Sequence, residues 1–230
     1  MQRKLKSSLN VMIAQDIVEL RFAVLGNRIK YDHGYKLYGA VKRKVLDIAP
    51  ELLINNNFPD NVNLSQINGK KHNDFMYLTW KSSFKIRCPN SYAQQLKHIL
   101  NNQLLEISKD RVCLLDGEII SLSVSSQLAS KIVVIVYSNW KPIAYKTRFL
   151  NSCKKQLAAL GIMQQPTIIK DECNATYQKI ITIDKFPSIR QYRGYGVCVS
   201  DLTEQDSIAL QIHGIGGKRH MGCGWFDDSI

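Results

Sequence analysis

Apolar and polar residues alternate from Val18 to Val24, near the start of the chain, which predicts a half-buried β-strand. The Gly26-Asn27 pair interrupts this pattern, and apolar residues then recur every three to four positions up to Ile48, which predicts an amphipathic helix. Asp32 is the predicted cap of this helix. The predicted buried stripe consists of Leu37, Val41, Val45 and Ile48.

Shorter apolar runs predict the other elements of the first half of the chain. They are two strands, a helix and the two strands of a hairpin: Phe75–Trp80, Ser83–Arg87, Ser91–Asn101, Leu104–Ile107 and Arg111–Leu115. A turn is predicted near Asp116 and Gly117, because these residue types favour turns. The stretch from Pro50 to Asn73 is rich in Asn, Gly and Lys, and we expect mobile loops there.

The second half repeats this order, beginning with the almost unbroken apolar run Lys131–Tyr137, which is typical of a buried central strand. Tyr145–Leu160 is the clearest predicted helix, with Gly161 at the position of a C-terminal cap. Its buried face consists of Phe149, Cys153, Leu157 and Leu160. Two strands, a helix opened by a Thr203/Asp206 capping box and a last short strand complete the prediction: Tyr177–Ile183, Tyr195–Ser200, Thr203–Ile212 and Cys223–Phe226.

Each half therefore follows the order strand, helix, strand, strand, helix, strand, which is the order of the ferredoxin-like, or RRM-like, α+β unit. The serine-rich stretch Ser121–Ser130 contains the expected boundary between the halves. We predict an α+β protein of two tandem ferredoxin-like (RRM-like) units, with residues 1–125 in the first and residues 126–230 in the second.

The charge of the chain favours a polyanionic partner. Lysine and arginine number 31 against 19 acidic residues, which gives a net charge of +12. Such an excess favours nucleic acid or an anionic membrane surface. No apolar run approaches the roughly 20 residues that cross a bilayer, so we expect no membrane association.

The cysteines and carboxylates indicate neither a metal site nor a disulfide framework. The six cysteines are spread evenly and include no C-x-x-C pair. We therefore expect reduced, mostly buried thiols in a cytoplasmic protein. The carboxylates form no D-x-D cluster suited to two-metal chemistry, and no metal or cofactor is expected.

Basic residues are interleaved with aromatic residues in several parts of the chain. Cationic groups neutralise phosphates while neighbouring rings stack on unpaired bases, a combination typical of an RNA-binding groove. The predicted contacts in the second half are Lys146, Arg148, Arg190 and Arg193. In the first half, Trp80 and Phe84 are surrounded by Lys70, Lys71, Lys81, Lys85 and Arg87. The alternative is that most of these cations only solvate the surface.

The segment Gly214–Gly224, called the glycine segment below, has the pattern G-x-G-x5-G-x-G. Its patterned glycines are Gly214, Gly216, Gly222 and Gly224, and its basic residues are Lys218, Arg219 and His220. Glycine lets the backbone take positive φ and approach a phosphate closely, so that amide N–H groups can face it. Because the segment follows a helix and lacks a G-K-[ST] ending, it fits a nucleotide P-loop poorly. The alternative is a flexible connector with incidental basic residues.

Histidine is the expected proton-transfer group if the chain cleaves RNA, because the 2′-hydroxyl supplies the nucleophile. His33 is favoured, since it lies at the predicted start of the first helix, where the helix N-terminus disfavours the imidazolium form. The residues placed to hydrogen-bond or neutralise the scissile phosphate are Tyr35, Lys36 and Tyr38. His72, His98 and His213 have no distinguishing context. The alternative for His33 is an ordinary surface histidine near a helix cap.

The chain resembles the CRISPR-associated repeat-RNA endoribonucleases of the Cas-six family, and its myxan subgroup in particular. The resemblance is carried by VELRFAVLGNRIKYDHGYKLYGAVKR near the start, by the two-unit order and by IHGIGGKRHMGCGWF near the end. It covers essentially the whole chain, although the stretch between Pro50 and Trp80 matches loosely.

The resemblance implies metal-independent cleavage of CRISPR precursor RNA within its repeats, giving a 5′-hydroxyl and a 2′,3′-cyclic phosphate. The family's histidine on or beside the first helix corresponds to His33, and Tyr35, Lys36 and Tyr38 are weaker carry-overs. The glycine segment is implied to bind RNA and to hold the fold of the second unit. The implied partners are repeat RNA, the processed guide RNA and other subunits of a CRISPR effector complex.

Two rival interpretations stay open. Some relatives lack a working histidine, which would make the chain a non-cleaving guide-RNA-binding subunit of an effector complex. A general RRM-like RNA-binding protein is disfavoured, because KIVVIVY bears little resemblance to the aromatic-rich segment of such domains.

Overall fold

The strand predicted near the start of the chain is present as β1 (Ile17–Leu25) in the computed structural model, which describes residues 16–137, 145–171, 174–185 and 187–228. The chain divides into two units between Leu122 and Ser123. The later elements of the first unit are β2 (Arg28–Lys30), α1 (Gly34–Ile48), a 3-10 turn (Pro50–Leu52), β3 (Asn63–Leu64), β4 (Lys70–His72), β5 (Phe75–Tyr77), β6 (Ser83–Pro89), α2 (Asn90–Leu100), β7 (Leu104–Ile107) and β8 (Asp110–Ser121).

The main sheet of the first unit has the strand order β3-β6-β1-β8-β7. β1 lies at its centre and pairs antiparallel with both β6 and β8. The side chains of Leu20 and Phe22 are fully buried opposite Ile86 and Phe84, because alternate residues of paired strands share one face. α2 packs across these three strands and contacts α1. The predicted strand–helix alternation thus forms a sheet with helices that cover its apolar face.

Helix α1 ends at Ile48 as predicted, but its N-terminal cap and its last predicted buried position differ from the prediction. Its N-cap residue is His33, with no capping bond from a side chain, so the prediction that Asp32 caps the helix is wrong. Leu37, Val41 and Val45 are buried as predicted. Ile48 is 53% exposed, because the last turn of the helix extends beyond the core that the earlier turns cover.

The stretch predicted to form mobile loops is packed against the first unit instead. Apolar side chains at irregular intervals bury themselves there: Phe58, Val62, Leu64 and Ile67. β3 adds to the edge of the main sheet at β6, and β4 pairs with β5 in a separate three-stranded sheet of order β2-β5-β4. Because these residues are irregularly spaced, their burial matches neither the period of a helix nor that of a strand and could not be predicted from the pattern.

The turn predicted at Asp116 and Gly117 is absent, because β8 continues through both residues to Ser121. The strand contains a register shift here, opposite Phe22 to Val24. A Cβ on Gly117 would lie 2.7 Å from the ring of Phe22. This glycine is required by the close approach of an aromatic side chain, and the sequence pattern of a turn is coincidental.

The second unit begins with β9 (Leu128–Val134), three residues earlier than predicted. Its later elements are α3 (Tyr145–Ala159), β10 (Pro166–Ile168), β11 (Gln178–Lys185), β12 (Ser188–Val199), α4 (Glu204–His213) and a 3-10 turn (Arg219–Met221). β12 pairs with β9 along one edge and with β11 and β10 along the other. The capping box of Thr203 and Asp206 is present at the start of α4, as predicted.

The two faces of this second sheet carry different layers. Val133 and Tyr195 pack with Phe149 and Cys153 of α3 on one face. Ile132, Val134 and Ile181 point to the other face, where Cys223 and Met221 of the glycine segment cover them. The glycine segment therefore closes the side of the sheet that the helices leave uncovered.

The last predicted strand, Cys223–Phe226, does not form as a regular strand. Residues 217–227 still follow the free edge of β9 through isolated contacts. Gly217 N donates to Val134 O (2.9 Å), Gly224 N donates to Ile132 O (2.7 Å), and Asp227 and Ala129 exchange a pair of backbone bonds (2.9 Å each). A regular ladder is interrupted because Gly222 and Gly224 both have positive φ. This segment thus lies where a fifth strand would extend the sheet, without the regular geometry of a strand.

Candidate nucleic-acid interface

His33 is held at the start of α1 by two hydrogen bonds to the backbone. Its side chain is buried, with the residue only 1% exposed. Nε2 accepts the amide N–H of Ile67 at 3.0 Å, and Nδ1 lies 2.9 Å from the carbonyl oxygen of Lys30. An amide can only donate and a carbonyl can only accept, so the ring is neutral with its proton on Nδ1. In this arrangement neither nitrogen faces solvent to take a proton from a bound ribose.

The residues predicted to assist His33 have different surroundings. Tyr38 is 8% exposed, and its hydroxyl donates to Asn57 Oδ1 at 2.9 Å. Burial, and to a smaller extent Tyr35, raises the pKa of Tyr38, so its phenol stays protonated at neutral pH. Tyr35 and Lys36 are partly exposed, and the Lys36 ammonium lies 5.6 Å from the Tyr35 ring centre. Of the predicted group, Tyr35 and Lys36 can reach a ligand directly.

The glycines of the glycine segment allow backbone to approach backbone. A Cβ on Gly224 would lie 2.0 Å from the carbonyl oxygen of Ile215, and one on Gly214 would lie 2.3 Å from that of Gly224. Gly216 has a φ of +86° and lies against the carbonyl of Val134 in β9. No L-residue with a side chain fits these positions without displacing the backbone. The glycine pattern is therefore needed for the fold of the second unit.

The amide groups of the segment are engaged within the protein. Gly216 N donates to Gln156 Oε1 (2.7 Å), and the N–H groups of Gly214, Gly217, Gly222 and Gly224 donate to the carbonyls of Leu210, Val134, Arg219 and Ile132. The expectation that these N–H groups face a phosphate is not met in this arrangement. The patterned glycines therefore do not offer their N–H groups to an anion in this arrangement.

The basic side chains of the segment are partly exposed. The Lys218 ammonium lies 4.7 Å from the ring centre of Tyr192, on the face of the sheet that the segment covers. An Arg219 guanidinium nitrogen donates to the carbonyl of His213. Burial, followed by the nearby Arg219 charge, lowers the pKa of His213. His220 is the middle residue of the 3-10 turn Arg219–Met221.

A second basic area of this unit surrounds Tyr137, a residue that the sequence did not single out. Arg148 stacks on the Tyr137 ring, with its guanidinium carbon 4.2 Å from the ring centre. Two hollows of about 400 and 490 Å³ flank Tyr137, the first lined in part by Arg193 and the second by Arg148 and Lys155. Of the four predicted contacts in this half, Arg148 and Arg193 thus each line one of the two hollows beside Tyr137.

The other two predicted contacts lie outside these hollows. Lys146 is exposed on α3 and donates to Thr176 Oγ1 at 2.6 Å. Arg190 is exposed on β12, paired with Ile183 of β11. A run of exposed cations in the sequence does not reveal which of them line a hollow. On β12, the side of the sheet that each cation occupies depends on the register of the β11–β12 hairpin.

Part of the basic and aromatic cluster predicted in the first half belongs to the interior. Phe84 is in the core, and Arg87, 1% exposed, donates to Glu19 Oε2 from Nε and Nη2 at 3.2 and 3.1 Å. Lys85 and Arg21 also contact the Glu19 carboxylate, at 3.4 and 2.9 Å. These cations contact one buried acid, and the interior positions of Phe84 and Arg87 contradict the expectation that the whole cluster lines an RNA-binding groove.

No group of three or more His, Cys, Asp or Glu side chains arranged to hold a metal ion is found among the described residues. The thiols of Cys88 and Cys153 are buried, and burial raises the pKa of each to about 12. Within the same residues, no helix has both the length and the apolar character needed to cross a bilayer.

Two units of helices on antiparallel sheets, the second closed by a glycine segment among basic side chains, define the class of tandem ferredoxin-like proteins. Solved structures agree with this class. A CRISPR associated protein Cas6 superposes with a TM-score of 0.64 at 13% identity, covering 93% of this chain and all of that one. The product of a Cas6-related gene from Pyrococcus furiosus superposes with a TM-score of 0.65 at 12% identity, over 92% and 98% of the two chains. The prediction of two tandem ferredoxin-like units is confirmed.

The sequence profile of the Cas6 family, described as Cas6 Crispr, matches residues 18–228. The chain therefore belongs to the Cas6 family. It is also 24% identical over 217 residues to the CRISPR-associated endonuclease Cas6 of Myxococcus xanthus strain DK1622, a match that covers 94% of this chain and 82% of that protein. The resemblance stated from the sequence alone is confirmed.

Proposed function

We propose that the chain is an endoribonuclease that cuts CRISPR precursor RNA within its repeats. The observation that carries the proposal is the family match over residues 18–228, which includes both units and the glycine segment. The similar Myxococcus xanthus protein is named an endonuclease, and a further structure of the same fold (TM-score 0.63, 15% identity) is described as a RAMP protein binding different RNA substrates. The net charge of +12 supports an RNA partner as well.

The proposed reaction needs no metal ion. The ribose 2′-oxygen attacks the adjacent phosphorus, and the bond from phosphorus to the 5′-oxygen breaks. One fragment then ends in a 2′,3′-cyclic phosphate, and the other begins with a 5′-hydroxyl. A base must accept the 2′-hydroxyl proton, an acid must protonate the leaving 5′-oxygen, and cations must stabilise the charged intermediate.

His33 is the proposed base, with one requirement that follows from its hydrogen bonds. Nε2 must exchange the Ile67 N–H for the 2′-hydroxyl when RNA binds, while Nδ1 keeps its bond to Lys30 O and so keeps the tautomer. Lys36 and Tyr35 are proposed to contact the scissile phosphate. Tyr38 keeps its proton and holds Asn57, so its proposed contribution is to position α1.

The second unit is proposed to hold the RNA. Exposed positive charge comes from Arg148 and Arg193, which line the hollows beside Tyr137, and from Lys146 and Arg190 elsewhere on the unit, and Tyr137 offers a ring. Lys218, Arg219 and His220 are proposed contacts of the glycine segment, through side chains. Slow dissociation of the cleaved guide RNA from the protein would retain this product. The protein could then deliver the guide RNA to other subunits of an effector complex.

The test is an incubation of purified protein with labelled repeat RNA in EDTA, beside the same RNA with a single 2′-deoxyribose at the cut site. The first RNA is expected to be cut to products with the stated ends, and the second to stay intact. A requirement for magnesium, or cleavage of the deoxy substrate, would contradict the proposed chemistry.

A second candidate is a subunit that binds guide RNA without cutting it. The observation that favours it is the burial of His33, with both ring nitrogens bonded to backbone. Tight binding of the unmodified repeat, with no cleavage in either EDTA or magnesium, would support this candidate over the endonuclease.

A further inference from the structure

The small sheet β2-β5-β4 of the first unit carries basic and aromatic side chains on one face. Directly paired residues point to the same side of a sheet, and the pairing places Arg28, Tyr77 and Lys70 in one row, and Lys30, Phe75 and His72 in another. The row between them, which contains Ile29 and Met76, points the opposite way and is buried in the unit at those two positions. The six residues of the two outward rows form what is called the basic sheet face below.

The two rings of the basic sheet face are held by their neighbours. The Arg28 guanidinium and the Lys30 ammonium lie 4.2 and 4.4 Å from the ring centre of Phe75. The His72 ring meets that of Tyr77 edge-on at 6.1 Å. Phe75 and Tyr77 are only partly covered, whereas Arg28 and Lys30 are exposed. Cations beside partly open rings match the combination that binds single-stranded nucleic acid.

The spacing along β5 also fits such a strand. Phe75 and Tyr77 are two residues apart on one face, which separates them by about 7 Å at 3.3–3.4 Å per residue. Stacked nucleotides of one strand advance by roughly 3.4 Å each. Two rings at this separation can each stack on a base of an unpaired segment whose neighbouring bases are unstacked. They fit a continuous base stack less well.

The charge of the face favours phosphates over a protein partner. Its six side chains include three cations and one imidazole, with no acid among them. At one end of the face, the carboxylate of Asp110 accepts the backbone N–H of Lys30 at 3.2 Å. Beyond β5, the Trp80 ring is 88% exposed and has the Lys81 ammonium 4.8 Å from its centre.

We propose that the basic sheet face binds an unpaired segment of RNA, with Phe75 and Tyr77 stacking on bases and Arg28, Lys30 and Lys70 neutralising phosphates. The proposal rests on the proposed function for the identity of the RNA. The family match assigns no role to this sheet, and of its six outward residues the sequence pattern indicated only Lys70, as part of the basic and aromatic cluster of the first half. The competing explanation is that the cations only keep two edge strands from pairing with another sheet, a role in which the rings have no part.

The test uses two variants of the full chain with a matched control. The first, Phe75→Leu with Tyr77→Leu, keeps apolar bulk and removes the aromatic faces. The second replaces Arg28, Lys30 and Lys70 by Gln. The control replaces three other cations of the first unit, Lys44, Lys97 and Lys109, by Gln. It therefore has the same net charge as the second variant. Thermal unfolding checks that each remains folded.

The first probe is a fluorescein-labelled 20-nucleotide oligouridine. The second is the CRISPR repeat RNA of the protein's own organism (the host repeat), with a 2′-deoxyribose at the cut site that prevents cleavage. The ring variant is expected to bind both about 10-fold more weakly or worse, since each stacked base contributes substantially to affinity. The cation variant is expected to flatten the slope of log Kd against log salt by about 2, at roughly 0.7 per phosphate contact. The slope and the affinity of the control variant should be closer to those of the wild type than the values of the cation variant are.

The outcomes separate this proposal from the proposed function. If folded ring and cation variants bind both probes like the control, the basic sheet face is not an RNA site, whatever the wild type does to its repeat. If the wild type cuts no host repeat, the endonuclease proposal fails. Weakened binding of oligouridine by both variants would still support the face in that case.

Discussion

The side chain of His33 can serve the fold, the chemistry or both, and its two hydrogen bonds make the usual alanine substitution ambiguous. Removing the ring would leave the Ile67 N–H and the Lys30 carbonyl without their partner in the interior. Each such loss costs about 1–3 kcal/mol. Loss of cleavage in His33→Ala would therefore not distinguish a missing base from a disturbed helix start.

His33→Gln separates the two roles. A glutamine oxygen reaches the position of Nε2 and can accept the Ile67 N–H, but it cannot take up a proton at neutral pH. If His33 is the base, we expect the single-turnover rate to fall at least about 100-fold, with the affinity for a 2′-deoxy repeat nearly unchanged. Cleavage by His33→Gln near the wild-type rate would show a structural role, and His72, exposed on the basic sheet face, would be the next histidine to replace.

Gly224 and Gly161 both have positive φ but differ in their surroundings, which gives a matched pair for the glycine segment. A Cβ at Gly224 would lie 2.0 Å from a carbonyl oxygen, whereas one at Gly161 meets nothing within 4 Å. Gly161→Ala should cost about 1–2 kcal/mol, the strain of the left-handed backbone alone. We expect Gly224→Ala to cost more than 3 kcal/mol in urea unfolding. Equal losses would mean that the segment shifts easily and that its glycines are not required for close packing.

The candidate site shows which properties of a residue the sequence can and cannot provide. The position of His33 at the start of α1 follows from the helical period that begins there. Its orientation does not, because the bond to Ile67 comes from a segment 34 positions away that lacks any periodic pattern. The glycines were similarly located by their pattern, while most acceptors of their N–H groups lie outside the segment, in β9, α3 and α4.

At the scale of elements, β1 shows that alternation predicts a strand more reliably than it predicts exposure. Glu19 alternates with apolar residues and was expected on the solvated side, yet it is 4% exposed. It is buried because Arg87 lies directly opposite on β6, with Lys85 and Arg21 one pair further along. The sequence could not supply this pairing, since it depends on the register of two strands nearly 70 residues apart.

The Glu19 cluster leads to a prediction about the main sheet of the first unit. Glu19→Gln keeps the shape of the side chain but leaves the buried Arg87 guanidinium without its carboxylate. Breaking such a pair by changing one partner typically costs 3–5 kcal/mol, and we expect a loss of about 3 kcal/mol in the free energy of unfolding. The control is Glu106→Gln, which breaks the exposed pair with Arg111 and should change stability by less than about 1 kcal/mol. A comparable effect of both changes would contradict a special role for the buried cluster.

At the scale of the molecule, the repeated order of elements predicted the two units correctly, because each unit builds its own sheet from sequence-local patterns. The three-stranded sheet β2-β5-β4 was missed, although its signal is visible in the sequence. RIK and FMY each alternate basic or aromatic residues with an apolar one, and the basic run KKH precedes FMY across an Asn-Asp turn. Of its three strands only β5 was predicted, within the longer strand Phe75–Trp80. β2 and β4 are three residues long, too short for periodicity to separate them from loops.

Two buried cysteines, one in each unit, allow the cooperativity of the whole chain to be measured. Cys88 lies in the first unit and Cys153 in the core of the second, and each thiol has a pKa raised to about 12 by burial. At pH 8 the thiolate fraction of either is therefore very small, and reaction with a maleimide requires local opening. Partly exposed Cys113 and Cys198 should react without unfolding and serve as internal references.

We expect Glu19→Gln to make Cys88 reactive at a lower urea concentration while the urea dependence of Cys153 stays as in the wild type. The physical reason is that the Glu19 cluster stabilises only the first sheet, and the core around Cys153 consists of residues from Leu128 onward. Short maleimide pulses followed by mass spectrometry of the peptides give both transitions in one experiment. If the two cysteines shift together by the same amount, the chain unfolds as a single cooperative body. The stability of the second unit would then depend on the first, and a substitution in either would affect both the proposed catalytic histidine and the glycine segment.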